Sequence, residues 1–236
     1  MSDLLKSVIE AHGGEQAWSR IETIRATAKI GGLIWAVKGV PQLFDHVIVT
    51  ANVKEQSVLI SSVTNGWSSS FSNDTVTFDR GDGTPTKDLR NARASFHDHV
   101  QSTPWDELHA IYFCSYALWT YLTIPIVYSR PGFTSTEVAP WQENGETWRR
   151  LQVTYPDDIT THCKTQTSYF GSDGLLRRHD YTVDIMGGAA GANYASDYVE
   201  KLGIQFPTQR HVYAYDETGK KIDEPLLVSI QFLDLQ

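Results

Sequence analysis

The chain has 236 residues, of which 41% are hydrophobic, and its 7 Trp, 11 Tyr and 9 Phe can build a large core. This composition excludes intrinsic disorder, which is typical of chains with few aromatic residues and high net charge. The formal net charge of -8 argues against nucleic-acid binding, because phosphate neutralisation needs clustered Lys and Arg. No Pro/Gly/Ser-rich linker divides the sequence, and all-β chains of this length are often single domains, so we predict one domain over residues 1–236.

The amino terminus and the cysteines both indicate a cytoplasmic location. The first six residues, Met1-Ser2-Asp3-Leu4-Leu5-Lys6, are followed by no apolar stretch of secretory length. Cys114 and Cys163 are far apart and suggest neither a metal-binding CxxC pair nor a disulfide framework. The longest uncharged run, residues 108–128, contains His, several Thr and a Pro, so we expect no membrane span.

The first 80 residues predict a helix followed by strands. Residues 2–20 read as helix, with an apolar stripe at Leu4, Leu5, Val8 and Ile9 and a stop at Gly13-Gly14. From Ile24 onward the hydrophobic period changes to two, which indicates antiparallel strands. The predicted strands are Thr23 to Ile30, Leu33 to Val40, Asp45 to Val53, Ser57 to Ser62, Trp67 to Phe71 and Thr75 to Asp79.

An aromatic-rich helix is predicted from Trp105 to Leu122. Thr103 can cap it, Pro104 suits its first position, and the acids Asp106 and Glu107 complement the positive end of the helix dipole. The segment is apolar nearly all round, which is typical of a buried helix.

Strands resume after this helix, so the predicted fold class is mainly β (α+β) with an antiparallel sheet. The Ser172-Asp173-Gly174 turn predicts a hairpin, and the glycine-rich residues 187–191 are interpreted as a flexible loop. The predicted strands are Thr134 to Val138, Thr147 to Tyr155, His162 to Phe170, Leu175 to Asp184, Asn193 to Lys201, Gln205 to Tyr215 and Leu226 to Leu233.

Several short segments carry a family resemblance. Ala11-His12-Gly13-Gly14 with Trp18, Trp148-Arg149-Arg150-Leu151 and Asp173-Gly174-Leu175-Leu176-Arg177-Arg178 resemble bacterial proteins related to the LolA, LppX and VioE group. The resemblance implies an open half-barrel: a curved antiparallel sheet wrapped around one central helix, with an apolar cavity between them. In the carrier LolA such a cavity holds acyl chains. In VioE it holds an indole-derived substrate and works without metal or organic cofactor.

Three histidines form the densest titratable group. On a strand, His97 and His99 would share one face, and His109 follows on the predicted helix. Such a set could bind zinc or iron. Ordinary hydrogen-bonding histidines are the other interpretation, and we prefer it. In this interpretation no residue is a metal ligand. His97 is then a ligand-binding residue, and His99 and His109 are acid/base groups.

The strand near residue 180 carries polar groups on both faces. Arg178 and Asp180 share one face and Tyr181 lies on the other, so one set should orient the polar end of a ligand. Which set faces inward is left open by the pattern. Arg178 and Asp180 are candidate catalytic residues, and Tyr181 is a candidate ligand-binding residue. The aromatic candidates for ligand binding are Trp35, Trp105, Tyr112, Tyr116 and Trp119.

We therefore hypothesise that the protein binds an apolar or aromatic small molecule between sheet and helix. Cofactor-free acid/base catalysis in a biosynthetic pathway is the favoured activity. Two alternatives stay open: a lipid or lipoprotein carrier-like module without catalysis, and a His-ligated metalloenzyme. A homodimer is left open as the protein partner.

Overall fold

The computed structural model describes residues 2–236, and it begins with two helices, α1 (Asp3–Ala11) and α2 (Gly14–Ser19). The Ser2 hydroxyl caps α1 by accepting a hydrogen bond from the Leu5 backbone N–H at 3.2 Å. Gly13 ends α1 with a φ of 107°, and a Cβ atom there would lie 2.2 Å from the Gly203 carbonyl oxygen. The predicted amino-terminal helix and its glycine stop are confirmed.

Within residues 2–236, thirteen strands form one antiparallel sheet. They are β1 (Thr23–Gly31), β2 (Val47–Asn52), β3 (Ser57–Ser62), β4 (Ser68–Ser72), β5 (Thr75–Asp79), β6 (Lys87–Arg90), β7 (Thr134–Glu143), β8 (Glu146–Thr154), β9 (Thr165–Phe170), β10 (Leu176–Val183), β11 (Ala189–Lys201), β12 (Ile204–Tyr213) and β13 (Val228–Leu235).

The sheet consists of two meanders joined at their first and last strands. The spatial order runs from β6 through β5, β4, β3 and β2 to β1, and then from β13 through β12, β11, β10, β9 and β8 to β7. Because β1 pairs with β13, the first and last strands meet in the middle of the sheet. The connection from β6 to β7 therefore links the two outer edges, and it contains the main helix.

That helix, α4 (Glu107–Thr123), lies inside the curved sheet, which leaves nearly all of its residues buried. The sheet wraps around α4 as an open half-barrel, which confirms the predicted architecture. The predicted start at Trp105 is wrong by two residues. Thr103 does not cap the helix, since its hydroxyl accepts from the Val100 N–H, and Asp106 takes the cap position. None of the helices within residues 2–236 is long and apolar enough to cross a membrane.

Residues 33–40 do not form the predicted strand. They contain a single helical turn, α3 (Leu33–Val37), after Gly32 at a φ of 109°. The N–H groups of Leu33 and Ile34 donate to the Leu226 and Leu227 carbonyls, so the segment is bonded to the chain just before β13. The helical turn directs the Trp35 side chain into the core, where it is 2% exposed.

Two further local predictions are corrected, and one strand, β6, was not predicted. His97 and His99 follow a 3-10 helix (Ala92–Phe96) in a turn where Asp98 has a φ of 67°, so they do not share a strand face. The edge strand β6 is too short and polar to show a period of two. The glycine-rich segment is only partly a loop, because β11 begins at Ala189 and pairs with Val183.

Candidate ligand-binding site

A narrow apolar slot lies between α4 and strands β10–β13 of the sheet. The helix packs against β2, β3, β4 and β5, while β10–β13 face it across this slot. The slot has a volume of about 60 Å³. Its walls include Phe113 and Ala117 of α4, Trp35 of α3 and Val228 of β13. An apolar group in the slot would therefore lie against apolar walls.

A chain of polar groups closes the inner end of the slot. Tyr121 of α4 and Tyr181 of β10 both line the slot, and their hydroxyl oxygens are 2.6 Å apart. The Tyr121 hydroxyl is also 3.1 Å from Nε2 of His162, whose ring stacks on Tyr181 at a centroid distance of 3.9 Å. Burial raises the pKa of Tyr121 to about 12 and holds the pKa of His162 well below its usual value. All three groups are therefore neutral hydrogen-bonding partners near pH 7.

Behind these residues lie polar side chains that the fold buries without satisfying. Arg210 is 1% exposed, and only its Nη2 has a partner, the Tyr121 carbonyl at 2.8 Å. Its Nε and Nη1 atoms have no hydrogen-bond partner in residues 2–236. The same holds for both ring nitrogens of His179 and both amide atoms of Asn193. Burial lowers the pKa of His179 to about 3. Unsatisfied buried groups of this kind are rare in native proteins and mark functional or hydrated interiors.

The alternation of β10 decides which polar side chains reach α4. His179 and Tyr181 face the helix and contact Tyr121, whereas Arg178 and Asp180 lie on the opposite face of the sheet. There Arg178 binds Asp180 through two nitrogens and Glu143 through a third, at 2.6–2.9 Å. The predicted catalytic pair therefore lies outside the slot, in a buried ion-pair network.

The other predicted catalytic residues, His99 and His109, lie near the start of α4. Their ring centroids are 5.1 Å apart, and Phe96 packs against both rings. His109 Nδ1 is 2.7 Å from Asp106 Oδ1. The structure does not bring these two histidines together with Arg178 and Asp180, because the pairs contact different elements on opposite faces of the sheet.

The metal alternative has no geometric support in residues 2–236. His97 is 85% exposed and bonds to the neighbouring Asp98 at 2.8 Å. No group of three His, Cys, Asp or Glu side chains in that part of the chain is arranged to hold a metal ion. His97 is also a predicted ligand-binding residue, but its side chain lies in a loop and projects into solvent and not into a cavity.

Most of the predicted aromatic residues are packing residues. Trp35 lines the slot, but Trp105, Tyr112 and Tyr116 are buried among other rings of the core. Trp119 is fully buried, and its indole N–H donates to the Asn52 and Glu55 carbonyls. The space predicted between helix and sheet is therefore largely filled by side chains, which explains the small volume of the slot.

Sequence reasoning missed Tyr121, His162, Asn193 and Arg210. Each lies in or beside a predicted element, but none belongs to a motif. Arg210 stands between polar Gln209 and His211, so nothing in the local pattern shows that it points inward.

A second, larger opening lies beyond the carboxyl end of α4. This cleft has a volume of about 1170 Å³ and is bordered by α2, the loop after β2 and residues 126–133 and 155–164. Its wall is mixed, with Trp18, Phe133 and Tyr155 among charged residues. It is large enough for a molecule of drug or cofactor size.

Comparison with known proteins shows likeness in structure without likeness in sequence. No protein-family profile and no curated protein sequence matches the chain. A DUF1329 family protein from Desulfovibrio piger aligns over 99% of this chain and 91% of its own, with a TM-score of 0.57 and 11% identity. A domain from Vibrio parahaemolyticus, named for outer membrane lipoprotein sorting, aligns over 99% of this chain and 90% of its own, with a TM-score of 0.53 and 9% identity.

A LolA superfamily protein from Nitrosomonas europaea gives a TM-score of 0.52 at 9% identity, covering 98% of this chain and 92% of its own. The three alignments extend over nearly the whole length of each protein, and they include the curved sheet and the enclosed helix. The chain therefore has the LolA-type half-barrel fold.

Proposed function

We propose that the protein is a binding module that holds an apolar or aromatic small molecule in the slot between α4 and β10–β13. The observation that carries this proposal is the composition of the slot: apolar walls, with the neutral Tyr121–Tyr181 pair at the inner end. Burying each methylene group there is worth about 0.8 kcal/mol. The tyrosines would hydrogen-bond a polar atom of the same ligand.

The fold supports the same class of ligand. A domain named for outer membrane lipoprotein sorting shares the half-barrel, and a carrier of lipid-like molecules needs an apolar interior of this kind. A ring or acyl chain occupies more than 60 Å³, so its binding requires the slot to widen. Gly187 and Gly188, which both have a positive φ, adjoin the slot at Met186 and Ala189 and give that wall backbone freedom.

Catalysis is not part of the proposal. The predicted catalytic residues are divided between two places, and neither adjoins the slot. The histidines nearest the slot have depressed pKa values, so they are poor proton donors near pH 7.

The proposal is tested by a substitution that fills the slot with a larger side chain. Ala117 lines it and is 6% exposed, whereas Ala36 of α3 faces solvent. We expect Ala117→Leu to weaken binding of the neutral fluorophore N-phenyl-1-naphthylamine by roughly tenfold or more, about 1.4 kcal/mol. The matched variant Ala36→Leu should change affinity by less than about twofold, because the larger side chain at this exposed position contacts no ligand.

Thermal unfolding of both variants checks that Ala117→Leu is folded, since overpacking a core costs about 1–3 kcal/mol. The proposal would be contradicted if the wild-type protein did not bind the fluorophore and native mass spectrometry detected no copurified apolar molecule. Equal affinity of the wild type and a folded Ala117→Leu variant would remove the slot as the site.

A further inference from the structure

The large cleft at the carboxyl end of α4 contains four cationic side chains, and three of them are paired. Lys54 binds Glu22 at 2.9 Å, Arg93 binds Asp184 at 2.9 Å, and Lys164 binds Asp157 at 2.5 Å. The fourth is Arg130, whose side chain makes no ion pair or hydrogen bond to any residue within 2–236. Glu15, Glu55 and Asp158 also border the cleft, yet none of them pairs with Arg130.

The position of Arg130 is fixed by its surroundings. Its guanidinium carbon lies 5.3 Å from the centre of the Trp119 ring, and Trp119 is itself held by two backbone carbonyls. The Arg130 N–H donates to the Val127 carbonyl, and its own carbonyl accepts from Phe133. Burial lowers the pKa of Arg130, as expected for a cation that has lost water without gaining a carboxylate.

The wall beside Arg130 is apolar. Ile126, Pro131 and Phe133 belong to the same segment, and the Phe133 ring packs on Tyr155 at a centroid distance of 5.0 Å. One cation, stacked on an indole and bordered by rings, matches a ligand with one anionic group on an apolar body. A planar guanidinium can bind a carboxylate through two parallel hydrogen bonds.

We infer that this cleft is a second binding site, for an apolar carboxylate whose anionic group pairs with Arg130. The inference is independent of the proposed function, because the slot and the cleft share no lining residue. The ligand body would lie against Phe133 and Tyr155, and the carboxylate would occupy the unpaired side of the guanidinium.

The test compares two probes of equal shape, 2-naphthoate and its neutral analogue 2-naphthamide, by isothermal titration calorimetry at about 0.15 M salt. We expect the wild-type protein to bind the carboxylate about tenfold more tightly or better, as for a charge-assisted hydrogen-bonded pair. Arg130→Gln should reduce naphthoate affinity to that of the amide and leave amide affinity within about twofold.

Two further variants locate the site. Lys164→Gln removes a cation of the same cleft that is already paired, so it should leave both affinities within about twofold. Phe133→Ala should weaken both probes by a similar factor, because it removes contact with the ring that they share. Unchanged amide binding shows that Arg130→Gln is folded.

Three results would overturn the inference: equal wild-type affinity for the two probes or no binding of either, unchanged naphthoate affinity in Arg130→Gln, or an equal loss in Lys164→Gln. Loss of naphthoate binding in Ala117→Leu would also overturn it, since the probe would then occupy the slot. Failure of the slot proposal alone leaves the Arg130 results unaffected.

Discussion

Arg178 and Arg210 are both fully buried, but only Arg178 has carboxylate partners. The Arg178 guanidinium is surrounded by Asp180, Glu143, Tyr194 and the Gly219 carbonyl, which together use its N–H groups. Arg210 keeps two unpartnered nitrogens beside the ring of Tyr121. At the residue scale, Arg178 is therefore a structural ion-pair residue, and Arg210 is an unsatisfied cation that contacts Tyr121 behind the slot.

The structural role of Arg178 predicts a large loss of stability on its removal. Arg178→Ala should lower the free energy of unfolding by about 3–5 kcal/mol, because the buried Asp180 and the partly buried Glu143 would lose their counter-charge. Arg149→Ala is the matched control, since its pair with Glu137 is half-exposed, and it should cost about 0–1 kcal/mol. Urea denaturation measures both values. Similar losses in the two variants would contradict the assignment, as would loss of fluorophore binding in a folded Arg178→Ala protein.

The element that organises the molecule is α4, and its first turn is held by a single capping residue. Asp106 Oδ1 accepts from the His109 N–H at 2.9 Å and is 2.7 Å from His109 Nδ1. These bonds to His109 lower the pKa of Asp106 to about 2, so the cap is charged at every pH above that value. A charged cap also complements the positive end of the helix dipole.

We expect Asp106→Ala to destabilise the protein by about 1 kcal/mol, because it leaves backbone N–H groups of the first turn unsatisfied. Asp106→Asn keeps an oxygen acceptor and should cost only a few tenths of a kcal/mol. Thermal unfolding of the two variants under the same conditions distinguishes these values. Equal destabilisation by Ala and Asn would mean that charge, and not the hydrogen bond, makes the contribution.

At the scale of the whole molecule, three buried histidines couple stability to pH. Burial lowers the pKa of His12 to about 4 and of His179 to about 3, and it lowers that of His162 well below its usual value. In the unfolded chain each would titrate near pH 6.5. Between the two values the unfolded state binds more protons than the folded state, so the free energy of unfolding falls as pH falls.

We therefore predict that the free energy of unfolding keeps its full value above about pH 6.5. As pH drops through 6 and 5, it should fall by up to roughly 1.4 kcal/mol per pH unit for each histidine. Urea denaturation between pH 5 and 7.5 measures this slope above the range in which most carboxylates titrate. His179→Gln should reduce the slope by about one proton. A pH-independent stability over this range would contradict the prediction.

Local chemistry in the sequence determined most of the secondary structure. The Gly13-Gly14 stop, the period-two strands and the all-apolar body of α4 are short-range patterns, so they predicted the right elements within a few residues. The predictions failed where a distant contact overrode the local pattern. Residues 33–37 are apolar enough for a strand, but their bonds to Leu226 and Leu227 turn them into a helix.

The candidate sites depended on tertiary structure. Strand alternation divided β10 into two sets of side chains, but only the position of α4 shows that Tyr181 faces the slot while Arg178 and Asp180 face away. Tyr121 and Arg210 are separated by 89 residues of sequence, and His162 lies between them. The three residues meet only because the two meanders close through β1 and β13. Sequence alone thus determined a half-buried antiparallel sheet with one enclosed helix, since these follow from periodicity. The inner face, the polar end of the slot and the unpaired Arg130 were decided by the packing of distant segments, because burial depends on what covers a side chain.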